Sequence, residues 1–136
     1  MGSKLVVMII DDDAVNNTVC SLIINRAQFA ASVSTFLRAS DALASLRESM
    51  KKQDTLPDII FLDINMPVMN GWDFLDEFTP MIPLLPKPIM LYMLSSSVYH
   101  EDVSKARAYP IVRDYLPKPL TANILNRIRE EIEAQA

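Results

Sequence analysis

At 136 residues, half of them hydrophobic, the chain suits one domain with a real packed core and is short for two conventional ones. A formal net charge of −4 and the absence of any basic cluster exclude a surface built for phosphate backbones, so no nucleic-acid partner is expected. The lone Cys20 excludes an internal disulfide and a Cys-rich metal site, and its apolar surroundings predict a buried structural thiol.

The chain opens on Leu5-Val6-Val7-Met8-Ile9-Ile10 and meets three aspartates at once. This run falls far short of the roughly 20 apolar residues that span a bilayer. It also lacks the small-residue cleavage site of a signal peptide. No membrane association is expected, and a cytoplasmic location is. Residues 6–10 alternate no polar side chains, as expected of a strand covered on both faces. Val15, Val19, Leu22, Ile23 and Ala27 then recur about three and four residues apart and predict a helix over 14–28. A short second strand is expected over 33–36. Ser40 is a plausible N-cap for a helix over 41–50, with Ala42, Leu43 and Leu46 as its inner face.

Residues 58–63 are apolar from Ile59 to Leu62 and end on Asp63, marking a third buried strand with an acid at its carboxyl end. A helix is expected over 72–78, stopped by Pro80, Pro83, Pro86 and Pro88. A fourth strand follows over 89–94, a fourth helix over 99–108 before Pro110, and a fifth strand over 111–116. Leu120, Ile124, Leu125, Ile128 and Ile132 lie on one face of a final helix. Strands alternating with helices predict an α/β fold, a doubly wound parallel sheet of five strands with helices on both faces.

In such a sheet the carboxyl ends of the strands share one edge, where ligands bind. Asp11 and Asp12 follow the first strand and Asp63 ends the third, so carboxylates gather there. Two unit charges about 4 Å apart repel by roughly 4 kcal/mol at an effective dielectric near 20, so such a cluster needs a cation or raised pKa values. An all-oxygen set without His or Cys favours a hard ion, and few protein ligands favour Mg²⁺. The plainer alternative is that Asp11, Asp12 and Asp13 cap the first helix. Ser95 follows the fourth strand and Lys118 the fifth, adding a hydroxyl and an ammonium to the same edge. Alone, Ser95 reads as a turn or cap residue and Lys118 as a surface charge. Together with the acids they suit formation of an aspartyl phosphate.

The segment Pro57-Asp58-Ile59-Ile60-Phe61-Leu62-Asp63-Ile64-Asn65-Met66-Pro67-Val68-Met69-Asn70-Gly71-Trp72 resembles the phosphoacceptor strand and following loop of response-regulator receiver domains. The likeness extends over residues 5–132. It implies the flavodoxin-like strand order 2-1-3-4-5 and a phosphoryl group received by Asp63 from a phosphohistidine. It also implies Mg²⁺ held by Asp11, Asp12, Asp63 and the backbone carbonyl of Asn65, with Asp13 outside the metal shell. By the same resemblance Ser95 is the switch hydroxyl, Lys118 the phosphate-pairing lysine, Tyr115 the aromatic switch, and the bond to Pro119 is cis. Asn65 and Ser97, two positions beyond Asp63 and Ser95, are placed to influence phosphate lifetime. The sequence departs from the family in carrying Ser95 where Thr is common, and Arg107-Ala108-Tyr109-Pro110 in the region of a Gly-Ala pair.

The expectation is a single stand-alone receiver over 1–136 with no output domain, a phosphoacceptor that promotes its own phosphorylation and dephosphorylation without acting on a separate substrate. Its expected partners are a sensor histidine kinase or histidine phosphotransfer protein and an unknown downstream protein that reads helix four, strand five and helix five. A phosphorelay intermediate or phosphate sink without an effector is the alternative in the same class. A haloacid-dehalogenase-type phosphatase is the alternative from another class. It wants a second Asp two residues after the nucleophile, where this chain has Asn65. Nucleotide hydrolysis lacks its Gly-rich loop, since Gly2 and Gly71 are the chain's two glycines.

Overall fold

A computed structural model describes residues 4–52, 56–95 and 100–135. Five parallel strands, β1 Val6–Ile10, β2 Ser32–Phe36, β3 Ile59–Asp63, β4 Met90–Ser95 and β5 Val112–Pro117, form one sheet in the order β2-β1-β3-β4-β5. They alternate with helices α1 Ala14–Arg26, α2 Ala39–Lys52, α3 Gly71–Phe78, α4 His100–Ala106 and α5 Ala122–Gln135. This is the expected doubly wound fold. Of the helix expected over 99–108, residue 99 lies outside the described residues.

Side-chain alternation along each strand divides the core in two. On one face Met8, Ile10, Ile60, Leu62, Leu91 and Met93 pack with α2 and α3. On the other Val7, Ile9, Phe61, Tyr92 and Leu94 pack with α1 and α5. The three central strands are buried throughout apart from the first residues of β1 and β4, which explains why they read as unbroken apolar runs.

Two local expectations need correction. The first helix forms, but it turns Asn17, Cys20 and Ile24 fully inward, while Val15, Val19 and Leu22 are 72, 38 and 55% exposed. Ile23 and Ala27 are half-buried against the core. Cys20 is buried, as its surroundings predicted. Ser40 lies inside α2, which begins one residue earlier at Ala39, so it is not the cap. The third α-helix stops at Phe78 as expected, but the proline-rich stretch after it is not without structure. It continues as a 3-10 turn, Thr79–Leu84, in which Pro80 occupies the first turn, where a missing N–H is harmless.

Trp72 joins α3 to the end of α4. Its ring stacks on Tyr109 at 5.8 Å, Lys105 Nζ sits 4.9 Å above it, and the Tyr109 hydroxyl donates to Asp76 Oδ1 at 2.7 Å. At the opposite edge of the sheet, Asp58 accepts from Val6 N–H and from Lys87 Nζ, tying β1 to the entry of β4.

Candidate functional site

β1 and β3 are adjacent and parallel, so Asp11, just beyond β1, and Asp63, the last residue of β3, emerge side by side. Oxygens of Asp11, Asp12 and Asp63 all lie within 4.8 Å of one another. Asp11 and Asp63 are 0 and 3% exposed, whereas Asp12 faces solvent. Lys118, just past β5, places Nζ 2.6 Å from Asp11 Oδ2 and 3.1 Å from Asp63 Oδ1. The Lys118–Pro119 bond is cis, and Lys118 N–H donates to the Ser95 carbonyl at 2.8 Å.

Burial, and then the neighbouring Asp11 carboxylate, push Asp63 up to about 6, against the pull of Lys118 and of a backbone hydrogen bond from Asn65. Burial opposes the charge of Lys118 as well. Its hydrogen bond to Asp11 and the charge of Asp63 outweigh that and hold its pKa above the ordinary value. The pocket therefore carries more negative charge than one ammonium neutralises. Three clustered carboxylates, one open to solvent, with no nitrogen or sulfur donor among them, fit a hard divalent cation such as Mg²⁺.

Asp13 serves the helix instead. Its side chain accepts from the N–H groups of Val15 and Asn16 and caps α1. The capping alternative thus holds for Asp13, whereas the Asp11 carboxylate is held by Lys118, the Asn16 side chain and Asp13 N–H. Two residues passed over in the sequence also matter here. Asn16 Nδ2 donates to Asp11 Oδ2 at 2.8 Å, and Asn17 Nδ2 donates to the Asp11 carbonyl at 3.0 Å. Their position in the first turn of the helix after the acids was the available signal.

Ser95 ends β4 rather than following it, and is 1% exposed. Tyr115 is half-buried on β5. Burial raises its phenol pKa, and a hydrogen bond from the Ser95 side chain works the other way. The structure therefore brings Asp11, Asp12, Asp63 and Lys118 together and links Ser95 to Tyr115. The side chain of Asn65 is exposed, and Ser97 lies outside the described residues.

The loop after Asp63 is held close. Gly71 N–H donates to the Ile64 carbonyl at 2.9 Å, and a Cβ at Gly71 would meet Asp63 O at 2.8 Å and Ile64 Cα at 2.9 Å. Only glycine lets α3 begin so near the Asp63 backbone. Asn70 and Asp73 then form a reciprocal capping box. Just before Asn70, Met69 N–H donates to the Pro67 carbonyl across Val68, whose φ of 67° marks a tight γ-turn.

The sequence matches the response regulator receiver domain family over residues 7–130. A two-component response regulator from Cytophaga hutchinsonii superposes with a TM-score of 0.88 at 32% identity, over 97% of this chain and 99% of that one. The receiver domain of the histidine kinase CKI1 from Arabidopsis thaliana, complexed with Mg²⁺, shares the fold at a TM-score of 0.81 and 20% identity, over 94% of this chain and 91% of that one. A protein-glutamate methylesterase/protein-glutamine glutaminase from Methylobacillus flagellatus is 34% identical over 93% of this chain and 33% of its own length. This chain thus spans about a third of that curated relative. Among the described residues, no helix is long and apolar enough to cross a membrane.

Proposed function

Because this chain belongs to the response-regulator receiver family, we propose that it is a phosphorylation switch in which Asp63 accepts a phosphoryl group from a phosphohistidine. The observation that carries this reading is the convergence of three carboxylates within 4.8 Å on a lysine 3.1 Å from Asp63. With a pKa of about 6, Asp63 is largely ionised at neutral pH, as a nucleophile must be. One of its oxygens bonds to phosphorus as the phosphorus–nitrogen bond breaks, and the imidazole leaves with the electron pair. Lys118 pairs with the transferred oxygens.

Asp11, Asp12, Asp63 and the backbone carbonyl of Asn65 would hold Mg²⁺. The ion, when bound, supplies positive charge to the oxygens of the transferring group. The partner that presents the phosphohistidine is a histidine kinase or phosphotransfer protein, and the exposed Val15, Val19 and Leu22 on α1 offer it an apolar footing beside the pocket.

Signalling follows from the link between Ser95 and Tyr115. A phosphoryl oxygen on Asp63 competes for the Ser95 hydroxyl and draws it from Tyr115, freeing that ring on the face made by α4, β5 and α5. A downstream protein reads that face. Asn65, exposed beside Asp63, stands where it influences access of the hydrolytic water.

Incubation with acetyl phosphate and MgCl₂, followed by intact mass, should give one phosphoryl adduct on the parent protein and none on Asp63→Asn. An unmodified parent, or an equally modified variant, would sink the proposal.

A further inference from the structure

Asp11 is wholly buried, and three donors converge on its carboxylate. Lys118 Nζ and Asn16 Nδ2 share Oδ2, at 2.6 and 2.8 Å, while Asp13 N–H donates to Oδ1 at 2.9 Å. Lys118 also reaches Asp63, so one ammonium is divided between two acids. When Asp63 carries a phosphoryl group, new anionic oxygens arise beside that ammonium. Lys118 can pair with them fully only by loosening its hold on Asp11. A buried carboxylate stripped of its ion-pair partner is strongly disfavoured unless other donors remain.

Asn16 is the side chain placed to remain. It is the third residue of α1, and its own N–H is fixed to Asp13 Oδ1 at 3.2 Å. Its amide is neutral, so it does not follow the new phosphoryl charge as an ammonium would. We propose that Asn16 is a positioning residue for the transfer. It keeps Asp11 hydrogen-bonded while Lys118 turns to the phosphoryl group, and so favours the phosphorylated pocket over the resting one. This rests on Asp63 being the phosphoacceptor.

The test compares the parent, Asn16→Ala and Asn16→Leu. The Leu variant keeps the approximate size of the side chain, adds no charge and removes its donor. Phosphorylation by acetyl phosphate at saturating MgCl₂ is timed by intact mass. The acetate leaves with the electron pair of the broken phosphorus–oxygen bond as the Asp63 oxygen bonds to phosphorus. Affinity for Mg²⁺ is measured separately, by NMR titration with MgCl₂ alone. Loss of a hydrogen bond to a charged acceptor predicts a rate about ten-fold slower in both variants. Affinity for Mg²⁺ should not weaken in either. Should Asn16→Ala fail to fold, Asn16→Leu carries the same comparison.

An unchanged rate in a folded variant overturns the proposal. So does a rate that falls in step with Mg²⁺ affinity, since that signals general damage to the acidic pocket. A parent protein that gains no phosphoryl group defeats the phosphoacceptor reading itself, and this proposal with it, whereas a phosphorylated parent with indifferent variants defeats this proposal alone.

Discussion

Replacing Asp63 by Asn should stabilise the metal-free protein, and by more at neutral pH than in mild acid. The Asp63 carboxyl rises from 3.8 to about 6 on folding, because burial and the Asp11 carboxylate disfavour its charge. At about 1.4 kcal/mol for each unit, ionising it in the folded state costs about 3 kcal/mol. A folded pKa above the unfolded one means that the native state holds its proton more tightly. The penalty is therefore absent well below pH 3.8, grows through the interval up to about 6, and is constant above it. Linkage gives a penalty of about 1.5 kcal/mol at pH 5 and about 3 kcal/mol at pH 7.5. Asn carries no charge and removes both. With a urea slope of about 2 kcal/mol/M, the midpoint of Asp63→Asn in EDTA should exceed the parent's by about 0.75 M at pH 5 and about 1.5 M at pH 7.5. Adding MgCl₂ at pH 7.5 should narrow the gap by stabilising the parent. Equal gains at the two pH values, or a variant less stable than the parent at pH 7.5, would refute the electrostatic account of the pocket.

Gly71→Ala should force the start of α3 away from the Asp63 backbone, since the added methyl would sit 2.8 Å from Asp63 O. A loss of about 1–3 kcal/mol in urea unfolding is expected, as for other overpacking changes, together with slower phosphorylation. A variant as stable as the parent would mean that the loop relaxes freely. Ser95→Ala should still take up a phosphoryl group on Asp63 while uncoupling Tyr115. The Tyr115 ring resonances should shift with beryllofluoride in the parent and stay in place in the variant, and equal shifts in both would count against Ser95 as the link.

The alternation of buried strands and amphipathic helices made the fold legible, because a sheet covered on both faces leaves continuous apolar runs such as Ile59 to Leu62. The strand order came with the family likeness, not from spacing. The pocket was legible in its acids and Lys118, since each sits at a strand end and strand ends share an edge. The inward face of α1 was not. Val15, Val19 and Leu22 carry a helical spacing as good as that of Cys20 and Ile24, and a helix apolar on two sides does not declare which one meets the sheet. Asn16 and Asn17 were passed over because amide side chains in a first helical turn usually face water. Here the chain bends so tightly after Asp11 that both amides reach back to it. Val68 offered no warning either, because β-branched residues avoid positive φ unless the surrounding loop imposes it.

The cluster at the junction of α3 and α4 has a practical consequence. Trp72 is the chain's single tryptophan. Its indole lies in the first turn of the helix that follows the Asp63 loop, with a cation over its face and a second ring stacked against it from the end of α4. Emission from a lone indole is sensitive to nearby charge and to ring contacts, so the protein carries its own optical gauge. A displacement of α4 that moved Lys105 or Tyr109 would register as a change in intensity or colour without any dye or label.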